Sequence, residues 1–139
     1  MKMGLSGALA AAAAAAVTLT AGIPVAAHHS FSMFDGSKKI RVSGVVREFQ
    51  WTNPHIWIEL GVPDANGRMT NWSIEAPAVN GLARAGWNSR SLKAGDRVSV
   101  DIHPLRSGGP GGALVLVTFA DGRTLGQTAI QRNRDSSGR

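Results

Sequence analysis

Two stretches of this chain alternate with a period of two, and that pattern constrains the fold more than anything else in the sequence. In residues 55–62, Ile56, Ile58, Leu60 and Val62 fall on one face, and His55, Trp57 and Glu59 on the other. Residues 97–105 repeat the pattern, with Val98, Val100 and Ile102 opposed to Ser99, Asp101 and His103. A period of two belongs to a strand with one face in a core and one outside. The neighbouring segments agree. Residues 38–51 are rich in Ile, Val, Phe and Trp, with Gly44 where a bulge or sharp coil would sit. Pro63-Asp64-Ala65-Asn66-Gly67 is a turn cluster leading into a strand over 69–75, with Trp72 and Ile74 on one face. Pro77 opens a short helix from Ala78 to Ala85, stopped by Gly86. Ser91 to Asp96 is a turn feeding the strand at 97–105. Ser107 to Gly112 reads as a flexible glycine loop, residues 113–119 as a continuous apolar strand, and Asp121-Gly122 as a hairpin turn into a short strand, Arg123 to Gly126.

Five strands with one short helix between the third and fourth is the element order of a small oligonucleotide/oligosaccharide-binding (OB)-like barrel, an all-β fold. A small β-sandwich is the alternative that these element lengths leave open. The barrel domain runs over residues 38–126, after an N-terminal segment at 28–37, and residues 127–139 form a polar, charged tail expected to be disordered.

Residues 1–27 have the three-part layout of a secretory signal. Lys2 precedes an alanine-dominated apolar stretch from Gly4 to Val17, then Gly22 and Pro24, and small residues close the segment at Val25-Ala26-Ala27. Cleavage between Ala27 and His28 would leave 112 residues, enough for one domain, and place it in the periplasm or outside the cell. No later segment approaches the roughly 20 apolar residues of a membrane-spanning helix. The chain has no cysteine, which excludes disulfides, thiolate metal sites and thiol catalysis. Without Lys2 there are 14 basic and 9 acidic side chains, a net +5. The charge is scattered apart from Lys38-Lys39-Arg41 and the tail arginines, and it favours anionic envelope surfaces. The compartment argues against nucleic acid.

Four segments carry a resemblance: His28-His29-Ser30-Phe31, Phe49-Gln50-Trp51-Thr52-Asn53-Pro54-His55, Ser91-Leu92-Lys93-Ala94-Gly95-Asp96, and His103-Pro104-Leu105-Arg106 with its glycine loop. On these the chain resembles an uncharacterised group of exported proteobacterial proteins, classed as a domain of unknown function. The resemblance implies export and covers nearly all of the mature chain; it implies no activity.

The four histidines are the candidate metal ligands. Once Ala27 is cut away, His28 offers an α-amine and an imidazole to one metal, and His29 adds a second imidazole and an amide nitrogen. Such nitrogen-rich sets suit Cu(II). The arrangement is similar to the N-terminal histidine of copper-dependent polysaccharide oxygenases, although the rest of the chain does not resemble them. His55 and His103 can complete such a site, or serve as surface histidines that hold a loop carbonyl. Trp57, opposite the aliphatic stripe of its strand, is the best candidate to stack on a ligand. Trp51 suits either a ligand or the core, Trp72 the core, and Trp87 a plug at the barrel end. Arg106, beside the glycine loop, can grip an anion. Glu48, Glu59, Glu75 and Asp101 read as outward strand residues with no acid/base pair among them, and no nucleophile motif or phosphate loop occurs. The leading expectation is therefore an exported, non-enzymatic binding module. A copper-dependent oxidative enzyme and an envelope adaptor are the alternatives, and the sequence does not name the ligand, the partner or the oligomeric state.

Overall fold

The structure is a computed structural model and describes residues 33–128. The proposed signal peptide, His28, His29 and residues 129–139 of the tail lie outside the described residues.

The strands are β1 (Ile40–Gln50), β2 (Ile56–Pro63), β3 (Met69–Ala76), β4 (Arg97–Pro104), β5 (Gly111–Phe119) and β6 (Thr124–Gly126), with one helix, α1 (Val79–Arg84), between β3 and β4. The sheet order is β3-β2-β1-β4-β5-β6, and a parallel pairing of β3 with β5 closes the first five strands into a barrel. This is the OB-like architecture expected from the element order. The alternation works as read: Ile56, Ile58, Leu60, Val98, Val100 and Ile102 are buried inside the barrel.

Local chemistry sets each turn. Asp64 Oδ1 accepts the N–H groups of Asn66 (2.8 Å) and Arg68 (2.9 Å), and Gly67 supplies the positive φ of 77° that ends this turn. The helix is only six residues long and its own N-cap residue, Ala78, offers no side chain. Asn53 of the β1–β2 loop does so instead, its Oδ1 accepting the Val79 N–H at 3.1 Å. Gly86 ends α1 with φ 94°, and the N–H groups of Gly86 and Trp87 return to Ala83 and Leu82 in a Schellman arrangement. Leu82 and Ala85 are thereby turned into the end of the barrel. Trp87 completes the plug: it packs at 6.1 Å from the Phe49 ring and donates its indole N–H to the Gly126 carbonyl at 2.8 Å.

Two glycines depart from their sequence reading. Gly111 and Gly112 were expected in a loop but begin β5, paired with Ser73 and Ile74 of β3. A Cβ on Gly111 would stand 2.8 Å from the Ser73 carbonyl oxygen, and one on Gly112 would stand 2.5 Å from that of His103. The barrel closes here because these residues let three backbones approach. Their flexibility in sequence is absence of bulk in the structure.

Among the described residues, no helix is long and apolar enough to cross a membrane.

Candidate functional site

Residues that pair directly across neighbouring strands point to the same side of a sheet. Trp57 pairs with Glu75, Glu75 with Ala113, and Ala113 with His103. Their inward neighbours Ile58, Ile74, Leu114 and Ile102 are all buried in the core. The register therefore places Trp57, Glu75 and His103 in one row on the outer wall of the barrel, with small Ala113 between the carboxylate and the imidazole. Glu75 and His103 are two strands apart, roughly 10 Å at the backbone.

Both described histidines are oriented by protein acceptors. His55, at the entry to β2, sets its Nδ1 3.0 Å from Glu75 Oε1. His103 sets its Nδ1 2.6 Å from the Lys38 carbonyl oxygen. A carbonyl only accepts, so Nδ1 of His103 carries the proton and Nε2 is the nitrogen left for another partner. A carboxylate or carbonyl on one ring nitrogen is the usual way a protein aims the other at a ligand. The two rings are nevertheless served by different partners. Among the described residues, no three His, Asp or Glu side chains are grouped closely enough to hold a metal ion.

The Trp-Thr-Asn-Pro-His stretch knits the structure at three points. Trp51 is half-buried against the core with its ring 5.8 Å from Phe49, Asn53 caps α1, and His55 meets Glu75. The Asn53-Pro54 peptide is cis. Trp72 is partly buried against the core, as expected. Trp57 is half-exposed on the outer wall, and near it Glu59 accepts from the Asn71 amide and from Ser73 Oγ at 2.7 Å. Arg106 stands at the exit of β4, where its N–H donates to the Met33 carbonyl at 2.9 Å.

Two features escaped the sequence reading. Glu75 and Asp101 are outward residues, yet both are buried, at 9% and 7% exposure. Asp101 lies under Arg41 of the neighbouring strand, whose Nε and Nη2 reach its two oxygens at 2.7 and 2.9 Å. The second feature is the anchoring of the N-terminal segment. Phe34 forms a bridge to Leu105, and the Asp35 N–H donates to the Pro104 carbonyl at 2.8 Å. An apolar Phe34 just before the polar Asp35-Gly36 turn was the only local signal of this contact.

A turn over Asp35 to Lys38 then presents the Lys38 carbonyl to His103. Ser37 Oγ donates to Asp35 at 2.6 Å and Lys38 Nζ lies 3.2 Å away, which together lower the Asp35 pKa from 3.8 to about 2. Because the folded value is below the unfolded one, this turn gains stability from the ionised carboxylate above pH 3.8, and loses it as pH falls toward 2. In an NMR titration, Asp35 is expected to be the carboxyl that protonates last on acidification, and Ser37→Ala to raise its pKa more than Lys38→Ala does. An Asp35 that titrates at its ordinary value in the wild type would show that Ser37 and Lys38 do not stabilise its carboxylate.

No curated protein and no solved structure matches the chain. A family model does match, over residues 14–114, which is most of the sequence. The chain thus belongs to a family described as a family of unknown function (DUF6152).

Proposed function

We propose that the chain is an exported binding module that holds Cu(II) at a mature N-terminus beginning with His28. One observation carries the reading. Residues 33–35 are tied antiparallel along 104–106, so the chain is anchored beside the end of β4 just four residues after His29. Four extended residues span at most about 14 Å. That tether is short enough for a mature N-terminus at His28 to reach His103, whose Nε2 is left for a further partner. The chemistry of the donors agrees: an amine and imidazoles are nitrogen ligands of the kind Cu(II) prefers.

Export supplies the amine, since the His28 nitrogen is a peptide amide until the leader is removed. The test is recovery of the protein from the envelope fraction of a producing bacterium. Mass measurement is expected to give a chain starting at His28, with close to one copper per chain after exposure to Cu(II). An intact Met1 chain retained in the membrane would overturn export, and a processed chain that takes up no copper would overturn the site. Redox turnover by the loaded protein would make it the oxidative enzyme instead.

A further inference from the structure

At the opposite end of the barrel from the histidines, an open cleft of about 590 Å³ lies between β1, the β2–β3 hairpin and the end of β5. Small-molecule pockets run from roughly 300 to 1,000 Å³. The cleft exists because β1 keeps only one of its two partners there. β1 lies between β2 and β4; toward its start the β1–β2 pairing ends at Val45 and Gly61 while β1 stays paired with β4, so the end of β2 and the hairpin leave β1 there. Gly61 leaves bare backbone at this point. A Cβ there would stand 2.7 Å from Arg47 Nε and 3.1 Å from Met69 Cε, so those two side chains cross over the glycine at the edge of the cleft.

The lining is mostly apolar, from Val45, Pro63, Met69 and Phe119, with Ser43, Ser99 and Thr118 along one side. Ser43 and Ser99 satisfy each other at 2.8 Å. Met69 is 48% exposed, one of three large hydrophobic side chains so placed among the described residues. The charge is of one sign. Arg97 lines the cleft and no carboxylate does. Among the described residues, neither Arg97 nor Arg47 has an ion-pair partner. Of the carboxylates next to lining residues in sequence, Asp96 pairs with Lys93, Asp64 accepts two N–H groups of its own turn, and Asp121 pairs with Arg123, whose guanidinium lies over the Phe119 ring. Glu75 stands toward the other end of β3, paired with His55. Neither described end of the chain is directed into the cleft. Met33 lies beside Arg106 at the far end of β4, and Gln127 runs along Val115 away from Phe119.

From this lining we infer that the cleft is a binding site for a free, single-chain amphipathic anion, a carboxylate on a medium-length acyl chain. The head group pairs with Arg97, and the chain lies along Val45, Met69 and Phe119. A concave site with one lining cation fits one such molecule, and burying the chain's methylenes against these residues removes apolar surface from water. The inference does not depend on copper.

Decanoate is the probe, titrated into the wild-type protein with amide shifts followed by NMR. Saturable one-to-one binding is expected, with the largest shifts near Val45, Arg97 and Thr118. Acetate, which has the head without the chain, and decyltrimethylammonium, which has the chain with the opposite charge, are expected to bind far more weakly. Arg97→Gln should weaken decanoate by roughly tenfold, the scale of a lost charged hydrogen bond, while Arg97→Lys retains most of the affinity. Met69→Asp, an exposed change that leaves the core intact, should weaken it as well. Equal binding of the cationic amphiphile, unchanged affinity in Arg97→Gln, or shifts centred on Trp57 and Ala113 would each overturn the assignment.

Discussion

Gly44→Ala is expected to destabilise this protein by roughly 3 kcal/mol or more, a large fraction of the 5–15 kcal/mol that holds a typical domain together. Gly44 sits in β1 opposite Val98, one residue before the point where the strand passes from β4 to β2. A Cβ there would run into the carbonyl group of Gly61 and come within 3.2 Å of Leu60 Cγ. The obstacle is backbone, not the end of a flexible side chain. Relief requires β1 and β2 to separate where Val45 pairs with Gly61 and Val46 with Leu60. Since Leu60 and Val46 are core residues, that separation also opens the barrel interior. Gly36→Ala is the control, because nothing lies within 4 Å of its added Cβ and its φ is not positive. Urea denaturation monitored by tryptophan fluorescence should show a large loss of stability for Gly44→Ala and almost none for Gly36→Ala. Equal midpoints for the two variants would mean that β1 and β2 do not make this close approach.

The second large effect is expected in copper binding. The processed chain should bind Cu(II) well, and a chain with one glycine added before His28 much more weakly, with a loss of tenfold or more. The added residue turns the His28 nitrogen from an amine, with a reference pKa near 8, into a peptide amide that gives up its proton far less readily. Both imidazoles remain, so the comparison isolates the amine. His28→Ala and His29→Ala should each weaken binding by removing one ring. Affinity should also fall with pH below about 8, because protons compete for the amine and then for the imidazoles. A competition titration against a chelator of known strength measures all four proteins. Equal uptake by all four would show that the N-terminal site is not real. His103→Ala then tests the outer row separately. If it lowers affinity while the glycine extension does too, the N-terminus and β4 share the ion.

The anchored segment gives the outer wall its order. The Asp35–Lys38 turn presents a carbonyl to His103, Asn53 ties the β1–β2 loop to α1, and His55 leaves that loop to meet Glu75. Three segments distant in sequence thus orient two imidazoles on one face. At the other end of the same strands lies the cleft lined by Arg97.

Much of this fold is local and so could be read along the chain. The alternation at 56–62 and 98–102 depends only on which side each residue faces. The turns at Asp64–Gly67 and after Gly86 depend on side chains that bond their own backbone and on glycines that accept positive φ. The helix boundaries follow from Pro77 and Gly86, and the aromatic plug at Trp87 from a large ring placed just after a helix. The site was legible only as residue types. That His103 and Trp57 would face outward followed from position on a strand, while a carbonyl partner for His103 was one of the readings left open.

Register between distant strands decided the rest. Arg41 covers Asp101 across 60 residues of sequence, and His55 reaches Glu75 only because β2 and β3 pair as they do. No local pattern encodes either contact, since it is the pairing of strands that makes two outward residues neighbours. The same holds for Gly111 and Gly112, whose composition is that of a loop. Their place in a buried strand is set by β3 and β4 closing on them from both sides, a constraint that exists only when the barrel does.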